Sequence, residues 1–224
     1  MINLLFDNGQ IIAFVGILIA FAATCFLTSV GSKFLPKDAG RAFAHDGAKS
    51  AGKPRGAGII FILVFVAASF LFAQINVEIA IYLVLVAIEM FTGFFDDAAD
   101  KPWGELKKGI LDFIVAVIVA VTFLHFNSNV VTLAFTGTQL AIPPIVFGIL
   151  TVILVWVSIN VTNCSDGVDG LSGTLTMITL MSLYVIDYVT KNKSGFDYLI
   201  LVFVVCILGY LWYNATPSKL LMGD

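Results

Sequence analysis

The sequence predicts an all-α protein, a polytopic bundle of about seven transmembrane helices. Of the 224 residues, 59% are hydrophobic and only 12% are charged, whereas about 25% are charged in an ordinary soluble domain. The apolar residues occur in long runs, and a helix needs about 20 such residues to cross the hydrocarbon core. The runs are continuous and do not alternate with polar residues, which disfavours a transmembrane β-barrel.

Seven long apolar runs are the predicted spans, and the segments between them indicate their orientation. The runs cover residues 11–30, 58–72, 77–95, 110–125, 141–157, 172–186 and 198–213. Ten of the 12 Lys and Arg residues fall on one side of these spans, and only Lys191 and Lys193 fall on the other. By the positive-inside rule, the side with ten basic residues is cytoplasmic. We therefore expect residues 1–224 to form one integral membrane domain with its N-terminus outside.

Six aspartates from three separate segments are predicted to lie at this cytoplasmic face. They are Asp96, Asp97, Asp100, Asp166, Asp169 and Asp224. Carboxylates that serve only solubility have no reason to gather on the basic side, so their placement indicates a polar site. An adjacent pair such as Asp96 and Asp97 is by itself equally compatible with a helix end that meets water. Glu89, inside a span, is expected to be structural, and His125, on the outer side, is expected to be interfacial.

The densest polar segment, residues 160–171, follows the fifth predicted span. Asn160, Asn163, Asp166 and Asp169 recur every three residues, and two Asp-Gly steps favour a break in the helix. Amide and carboxylate oxygens suit a hydrated Mg²⁺ ion, and their planar edges suit a nucleobase. A plain turn is a poor explanation for so many polar residues between two spans. An EF-hand is excluded because its ligand spacing and closing Glu are absent.

Two further segments give weaker signals. Residues 49–58 combine glycines with basic side chains, including Lys49 and Arg55, and such a segment before a helix suits a phosphate group. Any single basic residue there is better explained as a charge that sets the orientation of the spans in the membrane, or as a contact with lipid headgroups. In residues 212–224, Gly223 precedes Asp224, so the backbone can fold tightly while the carboxylate reaches inward. On its own this segment is equally typical of a juxtamembrane linker.

Together these segments resemble the polyprenyl-phosphate N-acetylhexosamine-1-phosphate transferase superfamily. Residues 96–100 are similar to its Asp-Asp-x-x-Asp/Asn element, and residues 160–171 to its Asn-x-x-Asn-x-x-Asp-Gly-x-Asp-Gly-Leu element. Residues 214–224 are similar to its Asn-x-x-Pro-(x)n-Met-Gly-Asp element. Within the superfamily the chain is most similar to the phospho-N-acetylmuramoyl-pentapeptide transferases. The resemblance covers essentially the whole chain, and it implies a family fold of about ten helices whose C-terminal helices are not in this sequence.

The resemblance implies an activity and its partners. The reaction is the transfer of phospho-MurNAc-pentapeptide from UDP-MurNAc-pentapeptide to undecaprenyl phosphate, which gives lipid I and UMP for peptidoglycan synthesis. The implied cofactor is Mg²⁺, and the implied location is the bacterial cytoplasmic (inner) membrane, with the site on its inner face in contact with the lipid bilayer. Nucleoside inhibitors of the family are expected to bind. A homodimer is a possible assembly, and no nucleic acid is expected as a partner.

The resemblance also implies roles for individual residues. The expected catalytic residues are Asp96, Asp97 and Asp224. The expected metal ligands are Asp224 first, with Asn163 and Asp97 as second contacts. The expected substrate-binding residues are Asn160, Asn163, Asp166, Asp169, Asn214, Lys108, Lys49 and Arg55. Asp166 and Asp169 are assigned to the uridine or to orienting their neighbours, and Asn214 and Lys108 to the donor's phosphates. Asp96 is assigned to the lipid phosphate and is expected to act mostly by positioning.

Other functions stay open at this point. The chain departs from the usual pattern of the muramoyl enzymes at Asp100, Ser50 and Leu221, so a sister enzyme that transfers phospho-GlcNAc to the same lipid is the first alternative. An ion-coupled transporter predicts acids deep within several spans, and only Glu89 is expected to meet that condition. A catalytically inactive scaffold would lack Mg²⁺-dependent release of UMP.

Overall fold

A computed structural model describes residues 9–40, 50–99, 101, 103–133, 135–190 and 194–224. Within these residues seven α-helices follow one another: α1 (Gly9–Gly31), α2 (Gly58–Phe72), α3 (Val77–Asp97), α4 (Glu105–Phe126), α5 (Pro144–Ser165), α6 (Leu171–Thr190) and α7 (Asp197–Asn214). Each predicted span overlaps one of these helices, which confirms the all-α fold class. Six helices are long and apolar enough to cross a membrane, while α2 has 15 residues. The chain is therefore a multi-pass membrane protein.

The fifth helix differs from its predicted span at both ends. Residues 139–141 are one strand of a short hairpin, in which β1 (Val130–Thr132) pairs antiparallel with β2 (Gln139–Ala141), and α5 begins only at Pro144. The helix then continues to Ser165, so Asn160 and Asn163 lie on its last turns. The expectation that residues 160–171 follow the fifth span is wrong for residues 160–165, which belong to α5. Asn160 Nδ2 donates to the Trp156 carbonyl at 2.9 Å, so this polar side chain is satisfied within the helix.

The apolar core lies where α1, α2 and α7 pack together. Phe61 of α2 contacts Tyr210 of α7, with ring centroids 5.1 Å apart, and Phe65 contacts Phe203 at 4.7 Å. Helices α5 and α6 are peripheral, because α5 has no buried residue and only Ser172 and Gly173 are buried among the described residues of α6. Their apolar faces are therefore left for lipid or for further protein.

Backbone hydrogen bonds join two distant segments at one end of the bundle. The Ala57 N–H donates to the Leu221 carbonyl at 3.1 Å, and the Leu221 N–H donates to the Pro54 carbonyl at 2.8 Å. The Gly58 N–H donates to the Met222 carbonyl at 2.9 Å. This pairing holds the segment before α2 against the segment after α7, at the end of the bundle where α3 ends and α4 begins. That this end faces the cytoplasm stays a prediction.

Candidate active site

The candidate active site is a group of six charged side chains at this end of the bundle, which we call the charge cluster. Its members are Asp38, Arg55, Asp96, Asp97, Lys108 and Asp224. They come from the segment before α2, the end of α3, the start of α4 and the segment after α7. The predicted convergence of the Asp96-Asp97 pair with Asp224 is thus present in the structure.

Two glycines allow Asp224 to reach Asp97. The Asp224 N–H donates to Asp97 Oδ2 at 3.1 Å. Gly223 has a φ of +90°, in the left-handed region that favours glycine, and a Cβ there would overlap the Asp97 carboxylate. A Cβ on Gly93, about one turn before Asp97 in α3, would overlap the backbone carbonyl of Asp224. The Gly-Asp step of the sequence therefore serves a close approach of backbone to carboxylate.

Arg55 connects three of the carboxylates. Its Nε lies 2.7 Å from Asp97 Oδ1 and its Nη2 lies 2.6 Å from Asp224 Oδ1. Its Nη1 lies 3.6 Å from Asp38 Oδ1. The side chain of Asp97 is fully buried and that of Asp38 is 2% exposed, so these are protein-enclosed ion pairs. Sequence reasoning assigned Arg55 to a substrate phosphate, whereas the structure uses its guanidinium to neutralise carboxylates.

Lys108 connects Asp96 with Asp224. Its Nζ lies 3.0 Å from Asp96 Oδ2 and also contacts Asp224 Oδ2. The other oxygen of Asp96, Oδ1, accepts a 2.5 Å hydrogen bond from the Trp103 N–H in the turn between α3 and α4. Asp96 is 6% exposed. Both of its oxygens have protein donors, an arrangement that favours positioning of Lys108 over direct contact with substrate.

The pKa values of Arg55 and Asp224 are set by their burial and by the charges beside them. Burial acts to lower the pKa of Arg55, but the negative charges of Asp97 and Asp224 outweigh it and raise that pKa. Burial acts to raise the pKa of Asp224, but the hydrogen bond and charge of Lys108 and the charge of Arg55 hold it below its ordinary value. With all six groups ionised, four carboxylates face two cations, and the charge cluster keeps two formal negative charges.

A second set of contacts fixes the Asp-Gly turn between α5 and α6. Asn214 is 3% exposed; its Oδ1 accepts from the Gly170 N–H at 2.9 Å, and its Nδ2 donates to the Leu220 carbonyl at 2.9 Å. Asp169 accepts from Ser218, through the N–H at 2.9 Å and the hydroxyl at 2.7 Å. Burial acts to raise the pKa of Asp169, but these two hydrogen bonds lower it overall. Asn214 and Asp169 thus hold two loops together.

The contact between Lys53 and Ser218 was not predicted from the sequence. Lys53 Nζ donates to Ser218 Oγ at 2.8 Å, so the hydroxyl lies between a lysine and an aspartate. Ser218 is 6% exposed. The signal in the sequence was weak, because a serine after a proline in a terminal segment is common in any linker.

Asp112 is a further residue that sequence reasoning missed. It lies on α4, one turn after Lys108, and is 9% exposed; its Oδ2 accepts from Asn160 Nδ2 at 3.3 Å. Glu89 on α3 lies within electrostatic range of Asp112, and its Oε1 is buried with no hydrogen-bond partner among the described residues. Asp112 is thus a second acid inside a predicted span, although it lies near the start of that span. An aspartate inside an apolar run was the signal that could have identified Asp112.

Two further predicted site residues lie at the end of α5 and directly after it. Asn163 is exposed on α5, and its side chain hydrogen-bonds to none of the described residues. Asp166 is the C-cap residue of α5 and lies within electrostatic range of Tyr210. Lys49 lies outside the described residues, as does Asp100.

The charge cluster fits a divalent cation by its charge and its donor atoms. Among the described residues, no group of three or more His, Cys, Asp or Glu side chains is arranged to hold a metal. Mg²⁺ in proteins, however, is usually held by one or two carboxylates, with water and substrate phosphates completing the shell. Asp97 and Asp224 supply two carboxylates in adjacent positions, and the two uncompensated negative charges match the charge of the ion.

Comparisons with known proteins show what the chain is similar to. Phospho-N-acetylmuramoyl-pentapeptide-transferase of Treponema pallidum (strain Nichols) is 40% identical over 210 residues, covering 86% of this chain and 58% of the relative. The enzyme of that name from Helicobacter pylori is 29% identical over 195 residues, 76% of this chain and 55% of the relative. The enzyme of that name from Caulobacter vibrioides is 28% identical over 208 residues, which cover 79% of this chain and 56% of the relative. The chain spans little more than half the length of these curated relatives.

A family profile also matches most of the chain. The profile of glycosyl transferase family 4 matches residues 79–224, which contain the Asp96-Asp97 pair, the Asn-rich end of α5 and the segment that ends at Asp224. The matched region is therefore the one that supplies most of the charge cluster. On this match, and in agreement with the motifs of the sequence, the chain belongs to glycosyl transferase family 4.

Proposed function

We propose that this chain carries the active site of an enzyme that transfers phospho-MurNAc-pentapeptide from UDP-MurNAc-pentapeptide to undecaprenyl phosphate, with release of UMP. The observation that supports this proposal is the meeting of Asp97 and Asp224 with Arg55 and Lys108 at one end of an apolar bundle. Such a site suits a reaction between a lipid-borne phosphate and a water-soluble nucleotide. The relatives named above carry the name of this activity.

Charge is the main physical obstacle in this reaction. Both reactants are polyanions, and the repulsion between them grows where water is excluded. When bound, Mg²⁺ would supply positive charge beside the phosphate oxygens. We assign Asp224 and Asp97 to hold this ion, with Asn163 as a contact that forms when the donor is bound. The inner membrane of a bacterium is the proposed location.

The basic and amide side chains then divide the remaining work. Lys108 is 19% exposed, so its ammonium group can reach the donor's diphosphate, while Asp96 holds it in place from beneath. Asn214 and Asp169 position the Asp-Gly turn, and Asp166 in that turn is assigned to the uridine. Asn160 is assigned to orient Asn163, one turn further along α5, with Asp112 as its anchor.

Release of UMP by the purified full-length membrane protein tests the proposal. We expect UMP when undecaprenyl phosphate, Mg²⁺ and UDP-MurNAc-pentapeptide are all present, and at least a hundredfold less with Asp224→Asn. Lys219→Gln, on the exposed part of the same segment, is the matched control and should keep its activity. UMP release only with UDP-GlcNAc would assign the protein to the sister reaction. No UMP with either donor would contradict a transferase function.

A further inference from the structure

We propose that Arg55 occupies the metal position between Asp97 and Asp224 when no divalent cation is bound, and that it turns toward Asp38 when one binds. This inference rests on the metal assignment in the proposed function. It concerns the side chain that must leave for the ion to enter.

The contacts of Arg55 are those that a bridging cation would make. Its Nε and Nη2 lie 2.7 Å and 2.6 Å from one oxygen each of Asp97 and Asp224. A magnesium ion needs oxygens at about 2.0–2.1 Å and prefers a near-octahedral shell. A planar guanidinium inserted between the two carboxylates leaves no room for such a shell. The arginine and the ion therefore compete for the same two oxygen atoms.

Asp38 provides a place for the displaced side chain. Its Oδ1 already lies 3.6 Å from Arg55 Nη1, too long for a hydrogen bond and close enough for attraction. Its Oδ2 is held by the Ser50 hydroxyl at 2.6 Å and the Gly40 N–H at 3.1 Å, so this carboxylate is fixed in position. A short rotation brings the guanidinium from two carboxylates to one, without moving its charge into bulk water.

The backbone around Arg55 is held while the side chain moves. The Arg55 N–H donates to the Pro36 carbonyl at 2.9 Å, and the neighbouring Pro54 carbonyl accepts from the Leu221 N–H at 2.8 Å. The segment is therefore tied on both sides, and the exchange needs only the side-chain torsions of Arg55. The Lys108 ammonium group keeps its contact with Asp96 during this exchange, so one positively charged side chain remains beside Asp224.

Removal of Arg55 should strengthen metal binding. The substitution removes both the competitor for the two carboxylate oxygens and a positive charge that repels the divalent ion. Arg55→Gln should therefore bind Mn²⁺, used as a paramagnetic probe, about tenfold or more tightly than the unsubstituted protein. Lys219→Gln removes one positive charge from an exposed site on the same segment and should change the affinity less than twofold.

The measurement is a titration of purified full-length protein with Mn²⁺, followed by electron paramagnetic resonance of the free ion. A double-mutant cycle tests the role of Asp38: Asp38→Asn should weaken binding in the unsubstituted protein and have a clearly smaller effect in the Arg55→Gln background. Arg55→Met, which removes the guanidinium but keeps an unbranched side chain, serves as a second variant if Arg55→Gln does not fold, and it should also bind Mn²⁺ more tightly.

The outcomes are distinct. Unchanged or weaker Mn²⁺ binding by both Arg55 variants, with binding intact in the unsubstituted protein, overturns the inference and leaves the proposed function standing. Equal effects of Asp38→Asn in both backgrounds overturn the part assigned to Asp38. No Mn²⁺ binding by any variant up to millimolar concentration overturns the metal assignment, and the inference with it.

Discussion

Gly93 offers the most direct way to disturb the site without damaging the fold. An added Cβ in Gly93→Ala would overlap the backbone carbonyl of Asp224, whereas ordinary Cβ contacts are 3.4 Å or longer, so Asp224 must move by more than about 1 Å. Alanine is also the better helix former by about 1 kcal/mol in a helix interior, so α3 itself should not be weakened. A misplacement of about 1 Å at a catalytic group costs on the order of a hundredfold in rate.

We therefore expect Gly93→Ala to release UMP at about one hundredth of the normal rate while its thermal melting temperature stays within a few degrees. Gly109→Ala on α4 is the matched control, because its Cβ would meet only Trp156 at an ordinary 3.9 Å. That variant should keep full activity. More than half of normal activity in a folded Gly93→Ala protein would refute the reasoning, since it would show that Asp224 need not lie where the structure has it.

Two other contacts give further predictions. If Asp96 acts by holding Lys108, Asp96→Asn and Lys108→Met should each lower kcat/KM by about tenfold to a hundredfold, and the double variant should be little worse than Lys108→Met alone; additive losses would show independent roles. Ser218→Ala leaves Asp169 and Lys53 without their shared partner and should lower stability by about 1–3 kcal/mol in thermal or denaturant unfolding. Because the folded-state pKa of Asp169 lies below its ordinary value, its stabilising effect is full at neutral pH and is lost as the pH falls through that lowered value. The difference between the unsubstituted protein and Ser218→Ala should therefore shrink below about pH 4, and a difference that grows in acid would contradict this account.

The spans were predictable because hydropathy is a property of each run by itself. The meeting of Asp96, Asp97 and Asp224 was also predictable, since all three follow spans that end on the same side of the bundle. The starting point of α5 was less so: Ala141 continues the apolar run, but it pairs with Val130 in the hairpin, and the helix begins only at Pro144.

The partners of each charged side chain were not predictable from local sequence. Arg55 among glycines has the features of a phosphate contact, and its true neighbours depend on the backbone pairing of residues 54–58 with residues 221–222. That pairing joins segments that no local pattern relates. Asn214 and Asp169 were recognised as important residues, but their burial, and hence their use in holding loops together, is a tertiary property.

The span of sequence between Arg55 and Asp224 has a consequence for biogenesis. These residues are 169 positions apart, and all helices from α2 to α7 lie between them. During synthesis α2 and α3 are made long before Asp224, so Arg55 and Asp97 lack the Asp224 carboxylate until the segment after α7 has been made. The charge cluster is therefore completed only after the helices from α2 to α7 have been synthesised.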